Sequence, residues 1–155
     1  MKYSPIDNKL FIDNRKRFSS KLEKAHLAIF NSNDIMPTNA DGTIPFRQNN
    51  DLFWLSGVDQ EESVLVVCPN NKEKEILFLK ETSELIAIWE GAKLTKEEAL
   101  NTSGISAVYW LSEMEEKLED LISKCDGMYL NKNIHSRAAS KVQTRDDRFR
   151  NMISE

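Results

Sequence analysis

The chain has 155 residues, 40% hydrophobic and 30% charged, with few Gly and Pro, which is the composition of a single soluble globular domain. Its formal net charge of -4 argues against a nucleic-acid-binding module, which needs a basic stripe to displace counterions. No run approaches the ~18 apolar residues of a membrane span, the N-terminus opens no apolar signal region, and no repeat or low-complexity tract is present.

Asp7 is placed as the N-cap of a first helix running to about Lys24. Phe11, Phe18, Leu22 and Ala25 fall on its buried stripe, and Arg15, Lys16 and Lys21 point outward. Leu27-Ala28-Ile29-Phe30 reads as a buried strand, and residues 31–44 as a long loop of Asn, Asp, Ser, Gly and Pro. Residues 51–56 are expected to form a second strand, closed by Gly57. Val64-Leu65-Val66-Val67 lacks polar alternation and suits a central strand covered on both faces. The turn Pro69-Asn70-Asn71-Lys72 leads to an antiparallel neighbour, Ile76-Leu77-Phe78-Leu79.

Leu85-Ile86-Ala87-Ile88-Trp89 reads as a further strand, with a break at Glu90-Gly91. Thr95 with Glu98, and Ser112 with Glu115, have capping-box spacing. Met114, Leu118, Leu121 and Ile122 give the second of these helices its stripe, and Ala107-Val108-Tyr109-Trp110 and Gly127-Met128-Tyr129-Leu130 are short strands. The basic stretch 9–24 and the acidic run Glu113, Glu115, Glu116, Glu119 and Asp120 are solvated helix faces. A last helix over residues 136–154 carries Ala138, Val142, Phe149 and Met152 on one side. That stripe needs a surface to cover, so Glu155 is expected to be a boundary within a longer protein. The alternation predicts an α/β fold, a three-layer mixed sheet with helices on both faces.

Chemistry-bearing groups are sparse. Cys68 and Cys125 match no metal or redox spacing; Cys68 reads as a small buried hydrophobe, and a reducing cytoplasm fits best. His26 and His135 sit in unrelated surroundings, with no His-Glu-x-x-His and no nucleophile elbow. Trp54 and Trp110 lie inside apolar runs and are expected in the core, whereas Trp89 sits at a loop tip.

The densest signal is Pro45-Phe46-Arg47-Gln48-Asn49-Asn50-Asp51-Leu52-Phe53-Trp54-Leu55-Ser56-Gly57. Every amide and charge in it needs a partner wherever it is covered. Arg47 has Asp51 as a local acceptor, and Gln48, Asn49 and Asn50 can satisfy backbone groups, locking the long loop onto the sheet. The same network would shape a substrate entrance or a subunit contact.

This block resembles the Tyr-Arg-Gln-x-Ser-Asp-Phe-x-Tyr-Leu-Thr-Gly signature of the N-terminal domain of Xaa-Pro aminopeptidases, in the creatinase and prolidase superfamily. The resemblance continues in order through the corner Asp59-Gln60-Glu61-Glu62, where Glu62 matches and Glu61 replaces the usual Pro. It ends with Trp89-Glu90-Gly91, Leu94 and the helix over 95–100.

The resemblance implies a ribonuclease-H-like N-terminal domain over residues 1–155, without catalytic residues or metal ligands of its own. Such enzymes hydrolyse the bond before proline with two divalent metals, usually manganese, held by two Asp, one His and two Glu of a C-terminal pita-bread domain. The implied motif residues are Arg47, Gln48, Asn49, Asp51, Gly57, Glu62 and Gly91, and Trp89 is the residue that would reach a neighbouring subunit's active site. The implied partners are the chain's own catalytic domain, further copies in a dimer or tetramer, and short proline-containing peptides. The rivals are a prolidase or creatinase-like relative, a pita-bread binding protein without metals, and a small α/β enzyme. The last would need acids embedded at strand ends, which are absent.

Overall fold

The computed structural model describes residues 4–131; His135 and the helix expected over 136–154 lie outside them. In chain order the elements are α1 (Lys9–Ser19), β1 (His26–Asn31), α2 (Asn50–Ser56), β2 (Ser63–Val67), β3 (Glu75–Leu79), α3 (Glu84–Glu90), α4 (Lys96–Ser103), β4 (Ala107–Trp110), α5 (Met114–Ser123) and β5 (Gly127–Leu130). The five strands form one sheet in the order β4-β3-β2-β1-β5. Its centre is antiparallel, with Ala28 opposite Val67 and Leu65 opposite Leu77, and both edge strands run parallel to their neighbours. β2 is buried at every position, as its unbroken aliphatic run requires of a central strand.

Side-chain alternation sends Ala28, Phe30, Leu65, Val67, Leu77, Leu79 and Val108 to one face, where they pack with Leu52, Leu55 and Ala99 of α2 and α4. Leu27, Ile29, Val66, Ile76 and Phe78 fill the other face under Leu121, Met114 and Leu118 of α5. The result is the expected three-layer α/β sandwich. Cys68 is buried here, and that burial pushes its thiol up to about 11.

Two expected strands are helices. Residues 50–56 form α2 because Asn49 caps it, its side-chain oxygen accepting from the Asp51 and Leu52 amides at 3.0 and 3.3 Å. Leu52 and Leu55 then fall on one buried face, while Trp54, expected in the core, is 45% exposed with the Arg17 guanidinium 5.7 Å from its ring centroid. An all-apolar run carries neither period cleanly, and its aromatic content favoured a strand. Residues 84–90 form α3, capped by Ser83, whose hydroxyl accepts from the Ile86 amide at 3.2 Å.

The ends of other elements also shift. α1 stops at Ser19, and the chain then turns through Ala25 with φ 59 before entering β1. Asp7 accepts from the Lys9 amide at 2.9 Å, but the N-cap position is Asn8, one residue later than expected. Thr95 and Glu98 make the expected reciprocal box. Ser112 does not cap: its hydroxyl donates to Glu81, and Glu113 instead accepts from the Trp110 amide at 2.9 Å across a single 3-10 turn. Trp110 does pack against the core, with Lys96 Nζ 4.8 Å from its ring centroid.

Arg15 is the largest departure from the outward-facing expectation. Its side chain has 0% exposure; Nη1 donates to the Leu55 carbonyl at 2.7 Å, and Nε lies 2.8 Å from the Glu75 carboxylate. Burial lowers its pKa, and Glu75 works against that shift. The stripe reading missed that Arg15 stands four residues after Phe11 and three before Phe18, on the same face.

α1 is seated by two matched helix ends. Ser56-Gly57-Val58 and Ser103-Gly104-Ile105 close α2 and α4 in the same way. Each Ser hydroxyl donates to the carbonyl four residues back at 2.7 Å and accepts from the amide two residues on at 3.1 Å. Each Gly has positive φ, 71 and 74, and a Cβ there would stand 2.3 Å from the Phe11 ring or 2.6 Å from Ile12 Cδ1. Only Gly fits both the backbone and the space.

Arg15→Ala should destabilise the domain by about 3–5 kcal/mol, the range for breaking a buried ion pair, in a urea unfolding curve monitored by tryptophan fluorescence. A loss below about 1 kcal/mol would mean that the guanidinium is not the junction described here.

Candidate functional site

The signature block and the corner 57–62 form one polar assembly at the end of the sheet. Gln48 is its centre. Its side-chain oxygen accepts from the Asn49 and Asn33 amides at 2.7 and 3.3 Å, and its Nε2 donates to the Gln60 and Val58 carbonyls at 2.7 and 3.1 Å. One buried amide thereby satisfies four backbone groups and ties the start of the long loop to the corner. Asn33 adds a bond to the Arg47 carbonyl at 2.9 Å, and Asn131, just past β5, donates to the Asp51 carboxylate at 2.9 Å.

The expected Arg47–Asp51 pair is not formed. Asp51 is taken by Asn131, and the Arg47 side chain is exposed, with no hydrogen-bond or ionic partner among the described residues. The loop is therefore locked by Gln48, Asn49 and Asn33. Asn50 is exposed at the start of α2.

The corner's other side holds the segment that follows α3. Gln60 Oε1 accepts from the Leu94 amide at 2.7 Å, and Glu61 pairs with Lys93 where both side chains are nearly covered. Glu62 sits in the left-handed region, φ 49, and its carboxylate meets Lys80 at 3.2 Å. Lys80 also donates to Glu90, the last residue of α3, at 2.7 Å. The Glu90 hydrogen bond is the first cause holding the Lys80 ammonium above its usual range, and Lys80 in turn lowers the Glu90 carboxyl. Gly91, φ 84, then ends the helix in open space.

α3 has no buried residue. Leu85 is 66% exposed, Ile88 74% and Trp89 80%, an outward row on a helix pinned at its base by Lys80. Trp89, expected at a loop tip after a strand, stands instead in the last turn of this helix. His26 is half-buried; its Nδ1 lies 3.0 Å from the Lys24 carbonyl, and its ring stands over Gly127 and beside Tyr129. Sequence reasoning missed Lys80, Lys93 and Gln60. Their roles depend on contacts across 10 to 34 positions, and only the Glu-rich corner hinted at cations nearby.

Residues 11–129 match the family model described as aminopeptidase P, N-terminal domain. The chain belongs to that family. It is 24% identical over 128 residues to the Xaa-Pro aminopeptidase of Escherichia coli, covering 81% of this chain and 29% of that one. It is also 24% identical to the Xaa-Pro aminopeptidase of Haemophilus influenzae, covering 81% and 30%. The fold matches aminopeptidase PepP of Pseudomonas aeruginosa with a TM-score of 0.77 at 20% identity, covering 98% of this chain and 32% of that one. The chain thus spans less than a third of the length of these relatives.

Gln48→Ala should cost about 2–3 kcal/mol, because it leaves covered carbonyls and amides unpaired, while Arg47→Ala should stay within about 0.5 kcal/mol of the parent. Thermal melts of both variants compare them directly; the reverse ranking would return the lock to Arg47.

Proposed function

We propose that this domain is the N-terminal, non-catalytic part of an Xaa-Pro aminopeptidase, serving subunit assembly and the shaping of the substrate entrance. Membership of the aminopeptidase P family supports the reading, and the outward row Leu85, Ile88 and Trp89 carries it. Three large apolar side chains on a pinned, uncovered helix make little sense for an isolated domain and good sense for one that meets another surface. That surface is a neighbouring copy in a dimer or tetramer, with the Trp89 ring extending to the peptide held in the neighbour's active site.

Among the described residues, no group of three or more His, Cys, Asp or Glu side chains is placed to hold a metal ion. Hydrolysis before proline, with two divalent metals such as manganese, is assigned to a downstream pita-bread domain. This chain's share is to bind and orient. No described helix is long and apolar enough to cross a membrane, and two unpaired cysteines suit a reducing cytoplasm.

Two measurements test the reading. The purified chain, given manganese and an Xaa-Pro peptide, should show no turnover above a buffer blank; metal-dependent hydrolysis by this chain would overturn the division of labour. Trp89→Ala should leave the melt of this chain within about 0.5 kcal/mol, since the ring buries little of itself here, yet weaken peptide turnover by the full-length oligomer. Unchanged turnover in that oligomer would remove Trp89 from the entrance.

A further inference from the structure

No residue of α3 is buried, and no other helix or strand packs broadly against it, so apolar burial does not set its direction. The chain leaves the sheet at Leu79, passes through α3 and the open Gly91, and is caught again at Lys93 and Leu94. Among the described residues, the only ion pair that α3 makes between these two points is Glu90 with Lys80.

Lys80 directly follows β3, and its side chain is 22% exposed, more sheltered than either of its partners. Its ammonium bridges two parts of the chain, lying 2.7 Å from Glu90 Oε2 and 3.2 Å from Glu62 Oε1. Glu62 reaches it from a left-handed backbone, φ 49, which residues with a Cβ seldom adopt. Strain of that kind persists where the surrounding structure holds a side chain in one place. Lys93 is the next cation toward Glu90, but it is held by Glu61 and does not replace Lys80.

The bridge fixes the rotation of α3 as well as its position. Ile86, which is half-buried, and Glu90 stand four residues apart and share the face turned to the domain. Leu85 and Trp89, also four apart, share the face about 100° further round. If α3 turned so that Glu90 left Lys80, the Trp89 ring would be carried away from its present direction.

We propose that Lys80 is a positioning residue for Trp89: by bridging Glu62 and Glu90 it sets the direction of α3 and so the direction of the indole. The effect on turnover rests on the entrance reading of Trp89; the effect on α3 rests on this chain alone. A partly exposed ion pair is a weak tie. It suffices here because no buried side chain holds α3 in another orientation, and an ionic tie loosens as salt rises.

The first test uses the nitrogen-15-labelled 155-residue chain aligned in a neutral gel. Residual dipolar couplings of the backbone amides report whether α3 keeps one orientation relative to the sheet. At about 0.05 M NaCl the couplings of residues 85–90 should fit the alignment of β1, β2, β3 and α4. Lys80→Met keeps the aliphatic stem and loses the charge, and Glu90→Gln removes the other partner. In both variants the α3 couplings should shrink by about half, while those of the sheet and the thermal melt stay as in the parent. Lys80→Arg, whose fork can hold both carboxylates, should restore them. Raising NaCl to about 1 M should loosen α3 in the parent and leave Lys80→Met unaltered. Parent-like couplings in both Lys80→Met and Glu90→Gln would overturn the proposal, as would a loss that Lys80→Arg fails to restore.

In the full-length oligomer, Lys80→Met should raise KM several-fold with kcat within about twofold of the parent, and Lys80→Arg should recover KM. If Trp89→Ala weakens turnover there and Lys80→Met does not, the positioning role is overturned. If neither variant changes turnover, the entrance reading falls, and the tie between Lys80 and α3 stands or falls on the couplings alone.

Discussion

A guanidinium with no exposed surface sits where α1, α2 and β3 meet, and the arrangement of the first layer depends on it. A charge removed from water survives only where acceptors surround it. Arg15 finds one at the last turn of α2, where unpaired carbonyls already favour a cation, and another in Glu75 at the start of β3. Both acceptors constrain position, so helix and strand cannot slide past α1 without stranding the charge. The two Ser-Gly ends act in the same direction. They remove side-chain bulk where Phe11 and Ile12 press against α2 and α4, so α1 lies close enough for Arg15 to reach.

Around the corner 57–62 the constraint is polar and shared among neighbours. Gln48 holds the corner's carbonyls from one side, and Gln60 and Glu61 hold the chain after α3 from the other. The backbone pays with a left-handed Glu62, whose carboxylate is thereby turned to Lys80 and through it to Glu90. Rigidity at the base of α3 and exposure along it follow from the same set of contacts.

The strands were legible as short apolar runs set off by turn and loop residues. β1, β2 and β3 follow from such runs, as does the antiparallel pairing of β2 with β3, and β4 and β5 follow from shorter ones; the pairing of β1 with β2 was not legible, because the run over 50–56 read as a strand between them. α2 and α3 were not, because Leu-Phe-Trp-Leu and Leu-Ile-Ala-Ile-Trp have no polar residues to reveal a period. The signals that decide them are Asn49 and Ser83, single capping residues outside the apolar run. At the site, the signature's importance was legible but its wiring was not. Arg47 offers the most donors and attracted the role, yet Gln48 has it, because an amide both donates and accepts while a guanidinium only donates. Arg15 was hidden by the same habit of placing charge outside.

The strand order has a consequence for how the chain assembles. β1, β2 and β3 lie side by side at the centre, and β4 and β5, later in the chain than these three, each add to an outer edge. No strand has to be threaded between two that are already paired. As the chain leaves the ribosome, every new strand therefore meets a finished edge, and the sheet can grow outward in the order of its own translation.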